Sequence, residues 1–174
     1  MSSITIKEFY QDILGETCPD INQFLNENIH KDIGHFNVFD ISEIYRTCTS
    51  KTEMPYNRRT YYKISLINGQ NKVEYADRTI EIEECAVLFA SPKIPYKYTH
   101  LCAEQTGHFC VFTKEFLPTS KIGLEIDNLP VFSPKSDFIY QISTEQFHQF
   151  ESIFLKMHDE IKSDYAYKYD LLRN

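Results

Sequence analysis

The sequence predicts a mainly β protein with helices at its two ends. At least seven short runs of β-branched or aromatic residues, each bounded by turn residues, follow one another at intervals of roughly ten residues in the middle of the chain. Helical spacing of apolar residues occurs only before and after this region. Because no helices separate the runs, a parallel α/β architecture is excluded, and the strand spacing is typical of a sandwich or barrel.

Composition limits the number of domains and the possible partners. The chain has 174 residues, of which 42% are hydrophobic, enough for one ordinary core. We expect an N-terminal helical arm (1–33), a β domain (34–134) and C-terminal helices (135–174). With 18 basic and 25 acidic residues the net charge is -7, which repels nucleic acid. No signal peptide or membrane span is predicted, so we expect a cytoplasmic protein with no membrane partner.

The N-terminal arm contains one clear helix pattern. Apolar residues recur at helical spacing over 4–14, and Gly15 follows at the position of a C-cap. This predicts a short amphipathic helix. The stretch 17–31 has no clean cap and could form another helical turn or two.

Six of the predicted strands can be bounded directly from the sequence. They cover 36–41, 61–67, 72–75, 79–82, 86–89 and 107–113. Asn68-Gly69 is a strong tight-turn dipeptide, so we expect 72–75 to form a hairpin with 61–67. Ala76-Asp77-Arg78 predicts a second reversal.

The C-terminal region begins with a capping box at Ser143 and Gln146. An apolar seam follows at steps of three and four residues: Phe147, Phe150, Phe154, Met157 and Ile161. Ser163-Asp164 is expected to restart a helix. The apolar pattern is unfinished at residue 174, so we expect the sequence to be a fragment of a longer chain.

The apolar seam has two candidate roles, packing on the barrel or pairing with a second copy. The bulk of the phenylalanines favours packing on the barrel, with a dimer contact on the far side of the helix or from Tyr165 onward. The predicted dimerisation residues are Phe154, Met157, Ile161 and Tyr165.

Two motifs carry a family resemblance. A strand ending in Asn68-Gly69 is followed by the buried run 86–89 and then by Ser91-Pro92-Lys93-Ile94-Pro95-Tyr96. This arrangement resembles the cupin-type sensor domain of AraC-type transcription regulators. The segment 163–174 also resembles the helix that precedes the DNA-binding half in one branch of that family.

The resemblance implies a double-stranded β-helix, or jelly roll, followed by antiparallel C-terminal helices. Such a domain senses a small-molecule effector, here a sugar or an organic acid, and forms a homodimer. DNA would be bound only through a helix-turn-helix half that these residues do not contain. The open alternatives are a stand-alone cupin enzyme and a non-catalytic small-molecule-binding protein.

The candidate site follows from the positions at which cupin enzymes hold their metal. Alignment on Gly69 and Pro92 places Tyr56, Arg58, Tyr62 and Tyr96 at those positions. Phenols and a guanidinium are poor ligands for a cation, so no metal or other cofactor is predicted. An anionic or polyhydroxyl guest is favoured instead.

The strand period of two places Tyr56, Arg58 and Tyr62 on the inward face together with Ile64 and Leu66. Tyr61, Lys63 and Ser65 would then point outward. A register shifted by one residue would exchange Arg58 for Arg59 and Tyr62 for Tyr61. The predicted ligand-binding residues are Tyr56, Arg58, Tyr62, Tyr96 and His100. In the other interpretation, Arg58 caps the barrel end and the tyrosines only fill the core.

The remaining reactive side chains give no catalytic pattern. The five cysteines contain no C-x-x-C pair, and the His-x-Cys spacings at His100 and His108 do not match structural zinc sites. No nucleophile or phosphate-binding motif is present. We therefore do not expect an enzyme.

Overall fold

The protein is described from a computed structural model. The described residues are 3–14, 34–47, 53–75, 78–102, 104–117, 125–133 and 137–173. The possible helical turns at 17–31 lie outside these ranges. Among the helices in the described part of the chain, none is both long enough and apolar enough to cross a membrane.

Strands dominate the described residues. They are β1 (Ser3–Ile4), β2 (Phe36–Asp40), β3 (Glu53–Arg59), β4 (Tyr62–Asn68), β5 (Asn71–Tyr75), β6 (Arg78–Ile82), β7 (Cys85–Ala90), β8 (Tyr96–His100), β9 (Thr106–Phe112) and β10 (Ile139–Gln141). The α-helices are α1 (Ile6–Leu14), α2 (Ile41–Thr47), α3 (Thr144–Lys162) and α4 (Lys168–Leu172). Short 3-10 helices cover Lys114–Phe116, Ile126–Asn128 and Pro130–Phe132.

The strands form two five-stranded sheets. The first has the order β1-β3-β8-β5-β6, and the second has the order β10-β7-β4-β9-β2. Apart from the added strands β1 and β10, the eight strands β2 to β9 divide between the sheets in jelly-roll order. All of these eight pair antiparallel, whereas β1 pairs parallel with β3. The predicted fold class is confirmed.

The predicted hairpin between 61–67 and 72–75 is wrong. β4 pairs with β7 and β9 in the second sheet, whereas β5 pairs with β6 and β8 in the first. The link through Gly69 carries the chain from one sheet to the other. Gly69 has φ 135°, and a Cβ there would lie 2.8 Å from Gln105 Oε1, so the position requires glycine. The second reversal is confirmed, since Tyr75 pairs with Arg78 across the β5–β6 hairpin.

The two faces of β4 belong to different cores. Leu66 lies in a cluster with Val38, Phe112 and Phe154, on the face of the second sheet that α3 covers. Ile67 lies between the sheets with residues of β5, β6, β7 and β8. Because side chains alternate along a strand, Tyr62 and Ile64 face α3, and Lys63 and Ser65 face the barrel interior. The predicted inward face of this strand is therefore reversed.

The C-terminal helices confirm the capping box and correct the predicted helix restart. Ser143 Oγ accepts a hydrogen bond from the Gln146 backbone N–H at 3.2 Å, and Gln146 Oε1 accepts one from the Ser143 N–H at 3.0 Å. Ser163 ends α3 and does not restart a helix, since α4 begins at Lys168. The Lys168 ammonium donates to the carbonyls of Ile161 and Ser163, which stabilises the end of α3.

The helix α3 packs on the outward face of the second sheet. Phe147 and Phe154 are buried there, and Met157 and Ile161 are partly buried against the same core. Phe154 is only 4% exposed, so this side chain has no free surface with which to meet a second copy. The predicted dimer role of Phe154 is therefore wrong for this packing. Tyr165 is 54% exposed and stays a predicted dimerisation residue.

Candidate ligand-binding site

The strand β8 lines the barrel interior with aromatic rings. Tyr96 and Tyr98 are buried, and His100 at the end of the strand is half-buried. The His100 ring lies 4.9 Å from the Tyr98 ring and 5.0 Å from the Tyr45 ring of α2, both edge-on. No strand over 96–100 is among the six bounded from the sequence, although the alternation Tyr-Lys-Tyr-Thr-His is typical of a half-buried strand.

Arg59 brings a permanent positive charge into this interior. The side chain is 3% exposed, and its guanidinium carbon lies 3.8 Å above the centre of the Tyr96 ring. Nη1 donates to the Asn57 carbonyl at 3.0 Å. Arginine stays protonated even when buried, so this charge persists at every physiological pH.

Arg58 does not occupy the predicted inward position, because its side chain is exposed. The register of β3 against β8 shifts between Met54 and Asn57, where three residue steps oppose two. Such an irregularity reverses the faces of a strand. Tyr56 lies on the same face as Arg58 by alternation and is half-buried.

Lys63 is the second cation of the interior. Its ammonium lies 4.1 Å from the centre of the Phe109 ring and 5.8 Å from that of Phe9 on α1. Among the described residues, no acidic side chain forms an ion pair or a hydrogen bond with Lys63 or Arg59. Burial, together with the charge of Arg59, lowers the pKa of Lys63 to about 7.

His100 is oriented by a polar network at the end of β8. Its Nδ1 lies 3.0 Å from Asn71 Oδ1, and the Asn71 amide nitrogen donates to Gln105 Oε1 at 2.9 Å and to the Gly69 carbonyl. Burial and the charge of Lys63 lower the pKa of His100 to about 4. The imidazole is therefore neutral at pH 7 and contributes hydrogen-bonding capacity without charge.

Tyr62 lies outside this interior. Its hydroxyl donates to the Asp127 carboxylate at 2.6 Å, and its ring stacks on Phe112 on the face that α3 covers. This hydrogen bond contributes to holding the pKa of Asp127 below its usual range. Of the predicted ligand-binding residues, the structure therefore places Tyr96 and His100 together and Tyr56, Arg58 and Tyr62 elsewhere. A ligand role for Tyr96 and His100 stays a prediction.

The interior contains functional groups that the preferred register missed. Arg59, Lys63, Tyr98 and Asn71 all lie there, and Arg59 belongs to the alternative register of the sequence interpretation. A lysine between Tyr62 and Ile64 in a mostly apolar strand was the one available signal for Lys63. Within the described part of the chain, neither charge has an acidic partner that would explain its burial.

The donor groups of the described residues do not form a metal centre. No group of three or more His, Cys, Asp or Glu side chains within those ranges is arranged to hold a metal ion. The cysteines described, Cys85, Cys102 and Cys110, are free thiols. The interior offers positively charged donors instead, which suits an anionic group.

A separate apolar cavity lies between the second sheet and α3. Its volume is about 330 Å³, and its walls include Ile64, Phe89, Phe150, Ile153 and Met157. Phe150 and Ile153 are 37% and 51% exposed. The described walls of this cavity offer no charged side chain that could orient a ligand.

Comparisons with known proteins add solved structures of similar fold. No protein-family model and no curated protein matches the sequence. Apo ToxT K231A from Vibrio cholerae strain SCE256 is 16% identical, with 84% of this chain and 53% of that chain covered and a TM-score of 0.49. ToxT from Vibrio cholerae O395 bound to (E)-4-(8-methylnaphthalen-1-yl)but-3-enoic acid is 13% identical, with 80% and 52% covered and a TM-score of 0.44.

A cupin protein from Bacteroides fragilis is 11% identical, with 46% of this chain and 64% of that chain covered and a TM-score of 0.31. The chain spans about half the length of the ToxT structures. None of these similarities shows what this chain binds.

Proposed function

We propose that this chain is the effector-sensing and dimerisation part of an AraC-type transcription regulator, and that its effector is an anionic small molecule. The sequence resemblance supports the regulator class. The observation that carries the ligand proposal is the pair of cations, Arg59 and Lys63, inside the jelly roll without an acidic partner among the described residues.

The physical basis is the cost of burying charge. A buried cation without a counter-ion is destabilising, and two of them near each other add repulsion. An anion between them would relieve both penalties and would accept hydrogen bonds from the guanidinium. Tyr96, Tyr98 and Phe109 would pack on the apolar part of the ligand. An organic acid therefore fits this interior better than a neutral sugar.

The strand β4 could transmit ligand binding to the C-terminal helices. β4 presents Lys63 to the ligand and Tyr62 and Ile64 to the sheet face under α3. A ligand that binds one arrangement of β4 more tightly would shift α3 and the dimer contact, since only differential affinity moves such an equilibrium. The domain would bind without catalysing a reaction, act in the cytoplasm, and leave DNA contact to other residues because its charge is -7.

Adjacent arginines offer a matched pair of variants for testing this function. We expect benzoate at saturating concentration to raise the Tm of the wild-type chain by roughly 5–10 °C. Arg58→Met, which changes an exposed arginine, should keep the shift, and Arg59→Met should lose it. Differential scanning fluorimetry with benzoate, inorganic phosphate and arabinose measures the effect, and urea unfolding verifies that both variants fold.

Equal stabilisation of both variants by benzoate would remove Arg59 from the site. Stabilisation by arabinose and not by any anion would contradict the proposal that the effector is anionic. Stoichiometric iron, manganese, nickel or zinc in the purified protein would favour a cupin enzyme instead.

A further inference from the structure

The setting of Lys63 destabilises the ammonium form, so the cation and the free amine are both populated near pH 7. The side chain lies in an aromatic environment, and the fixed charge of Arg59 repels a second cation. Both conditions are known to activate lysine as a nucleophile, because the ammonium form is destabilised and the free amine is populated near neutral pH. Lys63 is 9% exposed, so the side chain is not fully enclosed.

We propose that Lys63 is a covalent capture site for aldehydes or ketones, through reversible formation of an imine. The Nζ lone pair attacks the carbonyl carbon, and one amine proton passes to the carbonyl oxygen to give a carbinolamine. The hydroxyl then leaves as water with the second amine proton, and the C=N bond forms. One water is released and no oxidant or reductant is needed. The inference rests on the proposed function, since it assigns an aldehyde or keto group to the anionic effector of the same interior.

Other described lysines lack this activation. Lys72 and Lys97 each lie 3.7 Å from Glu74, and Lys93 and Lys114 lie 3.5 Å and 3.2 Å from Asp127. An adjacent carboxylate and contact with water both favour the ammonium form. These side chains serve as internal references for Lys63.

The charged and titratable groups facing Lys63 do not themselves change state near neutral pH. They are Arg59 on β3 and His100 on β8, whereas Cys110 on β9 acts on Lys63 from the opposite face of the second sheet. Arg59 stays charged, and His100 is neutral because its pKa is about 4. Burial raises the pKa of Cys110 to about 12, so the thiol stays protonated. Capture between pH 6 and pH 8 should therefore follow the protonation of Lys63 alone.

The test uses benzaldehyde, an uncharged probe that does not depend on anion binding. The folded chain is incubated with benzaldehyde and sodium cyanoborohydride at pH 7, and the benzylated lysines are measured by peptide mass spectrometry. We expect Lys63 to react at least about tenfold more than the average of Lys72, Lys93, Lys97 and Lys114. The preference should disappear in guanidinium chloride and fall several-fold from pH 7 to pH 6. Arg59→Met should lower Lys63 labelling several-fold, whereas Arg58→Met should leave it unchanged.

Labelling that follows exposure, with Lys63 the least modified lysine, would overturn the proposal, as would a preference that persists in guanidinium chloride. The benzoate experiment separates the two proposals. A benzoate shift that depends on Arg59, together with an unreactive Lys63, would leave the sensing function intact and exclude covalent capture.

Discussion

At the level of single residues, the barrel interior combines two cations with aromatic rings. Lys63 gains only weak ring contacts there, and Arg59 gains one carbonyl and the face of Tyr96. Replacing an unpaired buried charge by an apolar side chain of similar length often stabilises a protein. We therefore expect the chain to be less stable than one with apolar side chains at these two positions.

This cost predicts that Lys63→Met stabilises the chain by about 1–4 kcal/mol at pH 6. In the unfolded wild-type chain Lys63 keeps its proton up to about pH 10.5, and in the folded chain it loses the proton near pH 7. The folded state thus binds fewer protons between these values, so wild-type stability rises with pH there. The advantage of Lys63→Met should shrink by about 1.4 kcal/mol per unit above pH 7.

Urea unfolding of both proteins at pH 6 and pH 9 checks this prediction. Lys156→Met, at an exposed position of α3, is the control and should change the free energy of unfolding by less than about 0.5 kcal/mol at either pH. A destabilised Lys63→Met at pH 6 would show that the ammonium has a stabilising partner.

Individual site residues were only partly predictable from sequence. Tyr96 and His100 were placed in the candidate site, whereas Arg58 was chosen over Arg59. The irregular pairing of β3, and the link through residues 60 and 61 before β4 begins, break the alternation that connects Arg58 to Tyr62. Such an irregularity depends on pairing with a distant strand, which local sequence does not encode.

At the level of elements, the helix α3 fits the second sheet through Phe147 and Phe154. The Phe154 ring lies 6.0 Å from the centre of the buried His108 ring on β9, and the two rings are close to parallel. The neighbouring Leu155 is 47% exposed. Within one turn of α3, Phe154 packs against the barrel, whereas the apolar side chain of Leu155 is exposed to solvent.

The unequal burial predicts unequal stability effects. Phe154→Ala should lower the free energy of unfolding by about 3–5 kcal/mol, because it removes a buried ring and leaves a cavity. Leu155→Ala should change it by less than about 0.5 kcal/mol. Urea unfolding followed by circular dichroism measures both. Similar losses in the two variants would mean that α3 is seated differently in solution.

Elements were easier to predict than their pairing. Short apolar or alternating runs identified the cores of β4, β5, β6, β7 and β9, and the capping box identified the start of α3. The partner of β4 was missed because Asn68-Gly69 suits a hairpin and also suits a crossing between sheets. The helix α2 was missed because Ile41 continues the apolar run of β2 without a break.

At the level of the whole molecule, the helical side of the barrel keeps a group of exposed apolar side chains. They are Phe150, Ile153, Leu155, Tyr165, Tyr167 and Leu171. Exposed apolar side chains of this size are candidates for interaction sites. Tyr165 is also a predicted dimerisation residue, and the dimer contact stays a prediction.

The dimer proposal predicts a charge-sensitive association. We expect the wild-type chain to sediment as a dimer at micromolar concentration, and Ile153→Asp to weaken dimerisation at least about tenfold by placing a charge in an apolar contact. Ser152→Asp adds the same charge at the exposed neighbouring position and should have a smaller effect. Analytical ultracentrifugation measures dimerisation of the three proteins. A wild-type chain that is monomeric at every concentration tested would contradict the proposal.

The reversed faces of β4 have a mechanical consequence. Lys63 and Ile64 are joined by a single peptide bond, yet one side chain meets the interior and the other meets the underside of the long helix. No hinge, loop or chain of side chains has to lie between a ligand in the interior and the helix α3. A ligand that displaces the β4 backbone would therefore move the residues under α3 across the thickness of one strand.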